Sequence, residues 1–354
     1  MEQKTMKALV YHGPGEISLD DVPVPHIQKP TDVILKVTLS AICGSDVHII
    51  EGHTPVKPPK IVGHEFCGEV VEIGSAVKKL KVGNKVAVSC IAYCGECYYC
   101  KNNNHVHCIG SDAACFGTQG NLDGAQAEYI RLPYAENYSY IIPEGMTEED
   151  VLFVGDILST GYYAAKKANI KPGDTIVVIG TGPVGMCAME TAKLFGPAKI
   201  IAVNRNQERL NYALECGIAD IGLNPKKVDV VEEVRKLTDG HGADCVIEAM
   251  GIEQTFTTAI EAVKVGGTVS TVGVYSQPFL LQMQNYWMKN LTLNWGFVTV
   301  EHIPALIKLI QGGKINTKYL ITHKAPLNDI VKGYDVFKNR KENCIKWLIT
   351  PYER

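Results

Sequence analysis

The apolar residues change rhythm once along the chain. Before residue 156 they fall in short, β-branched runs: 6–12 (MKALVYH), 32–40 (DVILKVTLS), 68–74 (GEVVEIG) and 83–89 (GNKVAVS). Gly, Pro, Asn or Asp bound these runs, which predicts short strands. Turn signals recur between them, His-Gly-Pro-Gly at 12–15 and Val-Pro-Val-Pro at 22–25. This is the texture of a small, irregular, mostly antiparallel β domain. From residue 156 helical and strand periods alternate. Helices are expected over 156–168, 183–195, 206–216, 228–238 and 253–264. Strands are expected over 175–180, 199–204, 219–223, 244–248 and 267–273, with 291–295 as a candidate sixth. Such alternation predicts an α/β fold with a doubly wound parallel sheet. After about residue 296 a helix (301–311) and further β-like segments return to the first domain.

Composition narrows the classes. A chain of 354 residues is long for one core, so two domains are expected. The net charge of −3 leaves no electrostatic footprint for nucleic acid. The N-terminal stretch MEQKTMKALVYHGPGE has no apolar signal region, and no apolar run is long enough to span a bilayer. A cytoplasmic protein without membrane partners is therefore expected. Its 12 cysteines would then stay reduced, and clustered cysteines point to metal before disulfide.

Residues 180–185, Gly180-Thr181-Gly182-Pro183-Val184-Gly185, follow a predicted strand and open a predicted helix. That context turns a weak G-x-G-x-x-G match into a dinucleotide fingerprint. The first glycine allows the tight turn, the second lets a pyrophosphate approach, and the third lets the helix pack on the strand. At the end of the second strand an acid would bind the ribose 2′-hydroxyl of NAD. The sequence places Asn204 and Arg205 there. A neutral side chain beside a guanidinium leans toward NADP, whose 2′-phosphate it does not repel. The alternative has Asn204 bonding the 2′-hydroxyl, with Arg205 stacked on adenine or facing water. Arg209 joins these as a cofactor-binding candidate.

Cys94, Cys97, Cys100 and Cys108 fall at spacings of three, three and eight. They suit a closed, tetrahedral structural zinc that clips a loop. Iron–sulfur ligation also takes four cysteines, but its ferredoxin spacing differs. Upstream, Cys43, His64 and Glu65 supply a soft ligand, an imidazole and a carboxylate. Beside a nucleotide fold, such a set suggests catalytic zinc with one open position.

The motifs CGSDVH (43–48), GHEFCGEVVEIG (63–74), the four-cysteine lobe (94–108), GDILSTGYYAAKKANIKPGDTIVVIG (155–180) and the Gly-rich fingerprint (180–185) occur in this order. Over essentially the whole chain the sequence resembles the zinc-dependent medium-chain alcohol dehydrogenases, closest to bacterial secondary-alcohol and polyol dehydrogenases. The resemblance implies a GroES-like β-rich catalytic domain, residues 1–155 and 297–354, around a Rossmann domain, 156–296. It implies Cys43, His64 and Asp156 as catalytic zinc ligands, with Glu65 able to join or leave. Asp156 could otherwise cap the helix that follows. Ser45 would bond the substrate oxygen and pass its proton toward His48 or the cofactor ribose, with His53 as an alternative relay. Cys90, Phe116, Phe297 and Val298 would line the substrate pocket, and Gly273-Val274 would lie beside the nicotinamide amide. A small Cys90 favours secondary alcohols and ketones. Polyol, threonine, hydroxysteroid and formaldehyde oxidation are the alternatives within the family, and the apolar residues at 116, 297 and 298 lean away from highly hydroxylated substrates. The resemblance also implies a homotetramer, with a dimer second. A non-enzymatic, zinc-stapled nucleotide-binding protein would have lost a ligand or Ser45, and a zinc-free quinone reductase would lack the lobe. Cys67, Cys115, Cys187, Cys216, Cys245 and Cys344 are expected to be buried structural thiols.

Overall fold

A computed structural model describes residues 4–118 and 120–352. The chain divides into two compact units. One runs to Asp156 and resumes at Thr299, and the other is Ile157–Val298.

In the first unit, Thr5–Gly13 forms an antiparallel hairpin with Glu16–Pro23. The sequence reading gave no element to that second strand. It carries Glu16, Asp20 and Asp21, and it is the outer strand of its sheet. Charges belong on an exposed edge, where they oppose further pairing, and Lys7 Nζ answers Asp21 at 2.7 Å. The larger sheet has seven strands, antiparallel except for the pair Ile321–Pro326 and Lys346–Thr350. At its middle, Val33–Ala41 pairs with Glu65–Ile73 along one edge and with Lys346–Thr350 along the other. Ala41 faces Glu65 on one side and Leu348 on the other. Residues 43, 64–65 and 346 therefore gather at one end of three adjacent strands. Leu9, Ile42, Ile49, Leu327, Ile330, Tyr334 and Trp347 pack into one buried cluster beneath them.

The second unit holds a six-stranded, wholly parallel sheet. Its order is Ile221–Leu223, Lys199–Val203, Thr175–Ile179, Ala243–Glu248, Val263–Thr271, Thr292–Trp295. The chain winds outward from Thr175–Ile179 and then restarts on its other side at Ala243–Glu248. The order reverses between those two strands, and open α/β sheets bind ligands at such a switch point. Val177, Ile179, Val203 and Val246 are buried between the layers. The sixth strand forms, parallel to Val263–Thr271. The helix expected over 183–195 is α-helical over Pro183–Ala192 and tightens to a 3₁₀ turn at Lys193–Phe195 before left-handed Gly196. Among the described residues no helix is long and apolar enough to cross a membrane.

Candidate active site

Four ligand atoms, one each from Cys43, His64, Glu65 and Asp156, lie within 4.8 Å of one another. Cys43 leaves the Val33–Ala41 strand as N-cap of the short helix Gly44–Ile50. Glu65 begins the neighbouring strand, Glu65–Ile73, and His64 directly precedes it. Asp156 stands between the 3₁₀ turn Leu152–Gly155 and the helix Ile157–Lys167, with φ −141° and ψ −87°. Its Oδ2 lies 3.6 Å from Cys43 Sγ and 3.4 Å from His64 Nε2. Ligands of one tetrahedral zinc stand roughly 3.3–3.8 Å apart, given bond lengths near 2.0–2.3 Å. The Ser45 hydroxyl contacts both Cys43 Sγ, at 3.3 Å, and His64 Nε2, at 3.1 Å.

Buried around these atoms is more negative than positive charge. His64 Nδ1 lies 3.2 Å from Asp46 Oδ1, an ion-pair contact rather than an aligned hydrogen bond. Burial pulls the His64 imidazole down, but the charges of Asp46 and Cys43 overcome it and hold its pKa well above the usual value. Asp46 in turn accepts from the Cys43 amide at 2.9 Å and from Gln126 Nε2 at 3.1 Å, and Tyr334 donates to Gln126 Oε1 at 2.7 Å. This chain of contacts aims Nε2 at the cluster, as a carboxylate behind a ligand histidine does. The Cys43 thiol is pushed up by burial and by the Glu65 charge. Such a donor set, with surplus negative charge, fits a divalent cation.

Glu65 carries its own counter-ion. Lys346 Nζ donates to both of its carboxylate oxygens, at 2.6 Å each, and to the Ile42 carbonyl at 3.0 Å. Burial pulls the Lys346 ammonium down, while Glu65 raises it further, so it stays charged. Sequence reasoning passed over Lys346, Asp46 and Gln126. A lysine inside the apolar run CIKWLIT (344–350) was the available signal, since a strand buries a charge only opposite a partner.

The four lobe cysteines form a second cluster within 4.8 Å. Their Sγ atoms stand 3.4–3.8 Å apart along 94–108, 97–100 and 97–108. Tetrahedral zinc with Zn–S near 2.3 Å requires about 3.8 Å, and a disulfide would need about 2.05 Å. Backbone amides of Cys94 and Gly110 point at Cys108 Sγ, at 3.2 and 3.3 Å. None of the 12 cysteines is in a disulfide.

In the second unit the Gly-rich turn joins Thr175–Ile179 to the helix starting at Pro183, with Gly182 as N-cap. A Cβ on Gly185 would run into the Gly180 carbonyl, so only glycine lets helix and strand approach this closely. A Cβ on Gly182 would meet only Arg209 Nη1, at 4.0 Å. Open space at a helix N-terminus beside a guanidinium fits a phosphate. Two bonds hold Asn204: its Nδ2 donates to Thr181 Oγ1 at 2.6 Å and its Oδ1 accepts from the Asn206 amide at 2.9 Å. Arg205 is exposed and bonds Gln254. Gly273 packs on Gly251, and Val274 is exposed. Sequence reasoning missed Glu248, a fully buried carboxylate at the end of Ala243–Glu248. It accepts from Met250 and Gly251 amides, Thr255 and Tyr275, and so ties down the turn against which Val274 packs.

The residues expected to line the substrate pocket differ in exposure. Cys90 is buried and its amide donates to the Gly155 carbonyl at 2.9 Å, next to Asp156. Its thiol is pushed up by the Cys115 thiol, by burial and by the Asp156 charge. Phe116 is fully buried against Phe66, with ring centroids 5.4 Å apart. In the second unit Val298 is buried and Phe297 is half exposed. The expectation of burial fails for Cys115 and Cys216, which are only partly covered. Cys115 sits on a two-residue strand opposite Ile91, where it meets Cys90 rather than a core.

Known proteins match this architecture along its length. The family described as "Alcohol dehydrogenase GroES-like domain" matches residues 29–143, and "Zinc-binding dehydrogenase" matches residues 183–312. An alcohol dehydrogenase of Cupriavidus necator is 38% identical over 98% of this chain and 99% of its own. A sorbitol dehydrogenase of Bacillus subtilis is 31% identical over 98% of each chain. The solved structure of zinc dependent alcohol dehydrogenase 2 from Streptococcus pneumonia, in its apo form, superposes with a TM-score of 0.92 at 37% identity and 99% coverage of both chains. With its four-cysteine cluster, its Cys-His-Glu-Asp cluster and its dinucleotide fingerprint, the chain belongs to the zinc-dependent medium-chain alcohol dehydrogenase family.

Proposed function

We propose that this protein oxidises small secondary alcohols to ketones, and runs the reverse reduction, with NADP as the preferred nucleotide. One observation carries the reading: the Ser45 hydroxyl stands 3.1 Å from His64 Nε2 and 3.3 Å from Cys43 Sγ, against the Cys43–His64–Asp156 cluster. When bound, zinc supplies a Lewis acid that lowers an alcohol's pKa, and nicotinamide supplies a hydride acceptor. Cys43, His64 and Asp156 would hold that zinc, and Cys94, Cys97, Cys100 and Cys108 a second, structural one. Asp46 fixes which His64 nitrogen faces the cluster. Ser45 takes the proton from the substrate hydroxyl, and His48, one turn further along the same helix, accepts it. A thiol at Cys90, in place of a larger side chain, leaves room for a second carbon substituent.

The cofactor preference is supported by charge. No carboxylate stands at position 204, Arg205 follows it in sequence, and Arg209 Nη1 lies beside Gly182 of the Gly-rich turn. A homotetramer, or a dimer in its place, is supported by exposed Leu280, Met283, Trp287, Met288 and Trp295 around the outer strand Thr292–Trp295. A reducing, cytoplasmic setting is supported by 12 cysteines of which none is in a disulfide.

The test is initial rates on 2-butanol and on sorbitol, each with NAD and with NADP, using protein that carries two zinc ions per chain. Faster turnover of 2-butanol with NADP is expected. Faster turnover of sorbitol would replace the substrate reading with the polyol one, and preference for NAD would overturn the cofactor reading.

A further inference from the structure

The helix Gly44–Ile50 ends in a group of side chains that the proposed reaction uses only in part. His48 and Glu51 are three residues apart, so one helical turn brings them to the same face. Gly52 follows with φ +76°, a left-handed value that turns the chain back. The amides of His53 and Thr54 then both donate to the His48 carbonyl, at 2.9 and 3.1 Å. His53 is thereby folded onto His48, with ring centroids 5.8 Å apart. His53 Nδ1 lies 3.5 Å from Glu51 Oε2. One ligand atom from each of the three residues lies within 4.8 Å of the others. His48 Nδ1 is closed off from solvent with no hydrogen-bond partner. Lys338 faces the group: its Nζ lies 2.7 Å from Glu51 Oε1 and leaves Oε2 toward His53.

Two imidazoles and a carboxylate are a zinc donor set, and imidazole also suits copper and nickel. We propose that His48, Glu51 and His53 form a facultative third metal site, which zinc fills after the two thiolate-containing sites, and that its filling withdraws His48 from proton transfer and inhibits turnover. The site has no thiolate, and Lys338 competes for its carboxylate, so it binds more weakly than the other two. The binding claim stands on this geometry alone. The inhibition claim rests also on the role proposed for His48.

Equilibrium dialysis of the two-zinc protein against zinc chloride, with metal content measured per chain, tests the site. A third zinc is expected in the unsubstituted protein. His53→Ala and Glu51→Gln should each weaken it about tenfold or more, and Lys338→Met, which frees Glu51, should tighten it. A circular dichroism spectrum checks that each variant is folded. In the unsubstituted protein alcohol oxidation should fall, saturably, over the zinc range that fills the third site, and His53→Ala should shift that range upward. Absence of a third ion, or a third ion indifferent to all three substitutions, overturns the site. A third ion that follows the substitutions but leaves the rate untouched overturns the inhibition. If the two-zinc protein oxidises no alcohol at all, the proposed function fails while dialysis still decides the site.

Discussion

Lys346 Nζ lies 2.6 Å from each carboxylate oxygen of Glu65, and neither side chain is accessible to solvent. A buried pair of this kind is strong only while both members are present, because each charge has given up its water. Glu65 therefore reaches the Cys43–His64–Asp156 cluster already neutralised from behind, which would suit a reserve metal ligand better than a resident one.

Lys346→Met should leave Glu65 buried and unpaired. We expect a loss of about 3–5 kcal/mol in urea unfolding, and the double substitution Lys346→Met with Glu65→Leu should recover most of it. If Lys346→Met unfolds at the same urea concentration as the parent, the pair is not holding the site together.

Asp46→Asn removes the charge that faces His64 Nδ1 and keeps the side chain's size. Zinc affinity at the Cys43–His64–Asp156 cluster should fall about 10- to 100-fold, read by competition with a chromophoric chelator. The four-cysteine lobe should keep its ion. Equal loss from both clusters would mean that the substitution acts through folding instead.

The lobe carries a pH signature of its own. The Ile109 and Cys100 amides draw the Cys97 thiol down to about 6. Burial pushes Cys100 and Cys108 up instead. A lowered thiol is a thiolate above its pKa and is lost as the pH falls through it. After chelation, iodoacetamide should therefore label Cys97 first, with a rate that is half-maximal near pH 6. Zinc should protect it, and Cys97→Ser should lower the melting temperature and bind one zinc fewer per chain. Labelling of Cys97 and Cys100 at equal rates at pH 7 would contradict this.

Asn204→Asp places a carboxylate where a 2′-phosphate would sit. kcat/KM for NADP should fall about tenfold or more, while that for NAD holds or rises. Aspartate also loses the donor to Thr181 Oγ1. Asn204→Ala, which loses the same bond without adding charge, separates the two effects. A selective loss of NADP activity in Asp but not Ala supports the charge argument.

The second unit was legible because parallel strands buried on both faces read as apolar runs, as in Thr175–Ile179 and Lys199–Val203. The residues that gather at the first cluster stood out because they lie close together in sequence: Cys43, Ser45, His64 and Glu65 fall in two short motifs. What supports them did not. Lys346 meets Glu65 across 281 residues and Gln126 meets Asp46 across 80, and no periodicity reports such distances. Glu16–Pro23 escaped because an edge strand is polar by necessity. Cys115 was assigned to a core because cysteine usually lies in one. Here a two-residue strand sets its thiol against that of Cys90.

The pairing of Lys346 with Glu65 also has a consequence in time. The ribosome makes Glu65 281 residues before its partner. Ile157–Val298, continuous in sequence, can close its sheet as soon as it emerges, whereas the first unit must wait for Lys346–Thr350 to take its place beside Val33–Ala41. Until then the carboxylate beside the ligand cysteine and histidine has no ammonium to answer it. The order of synthesis thus delays completion of the Cys43–His64–Glu65–Asp156 cluster's surroundings until Lys346 has been made.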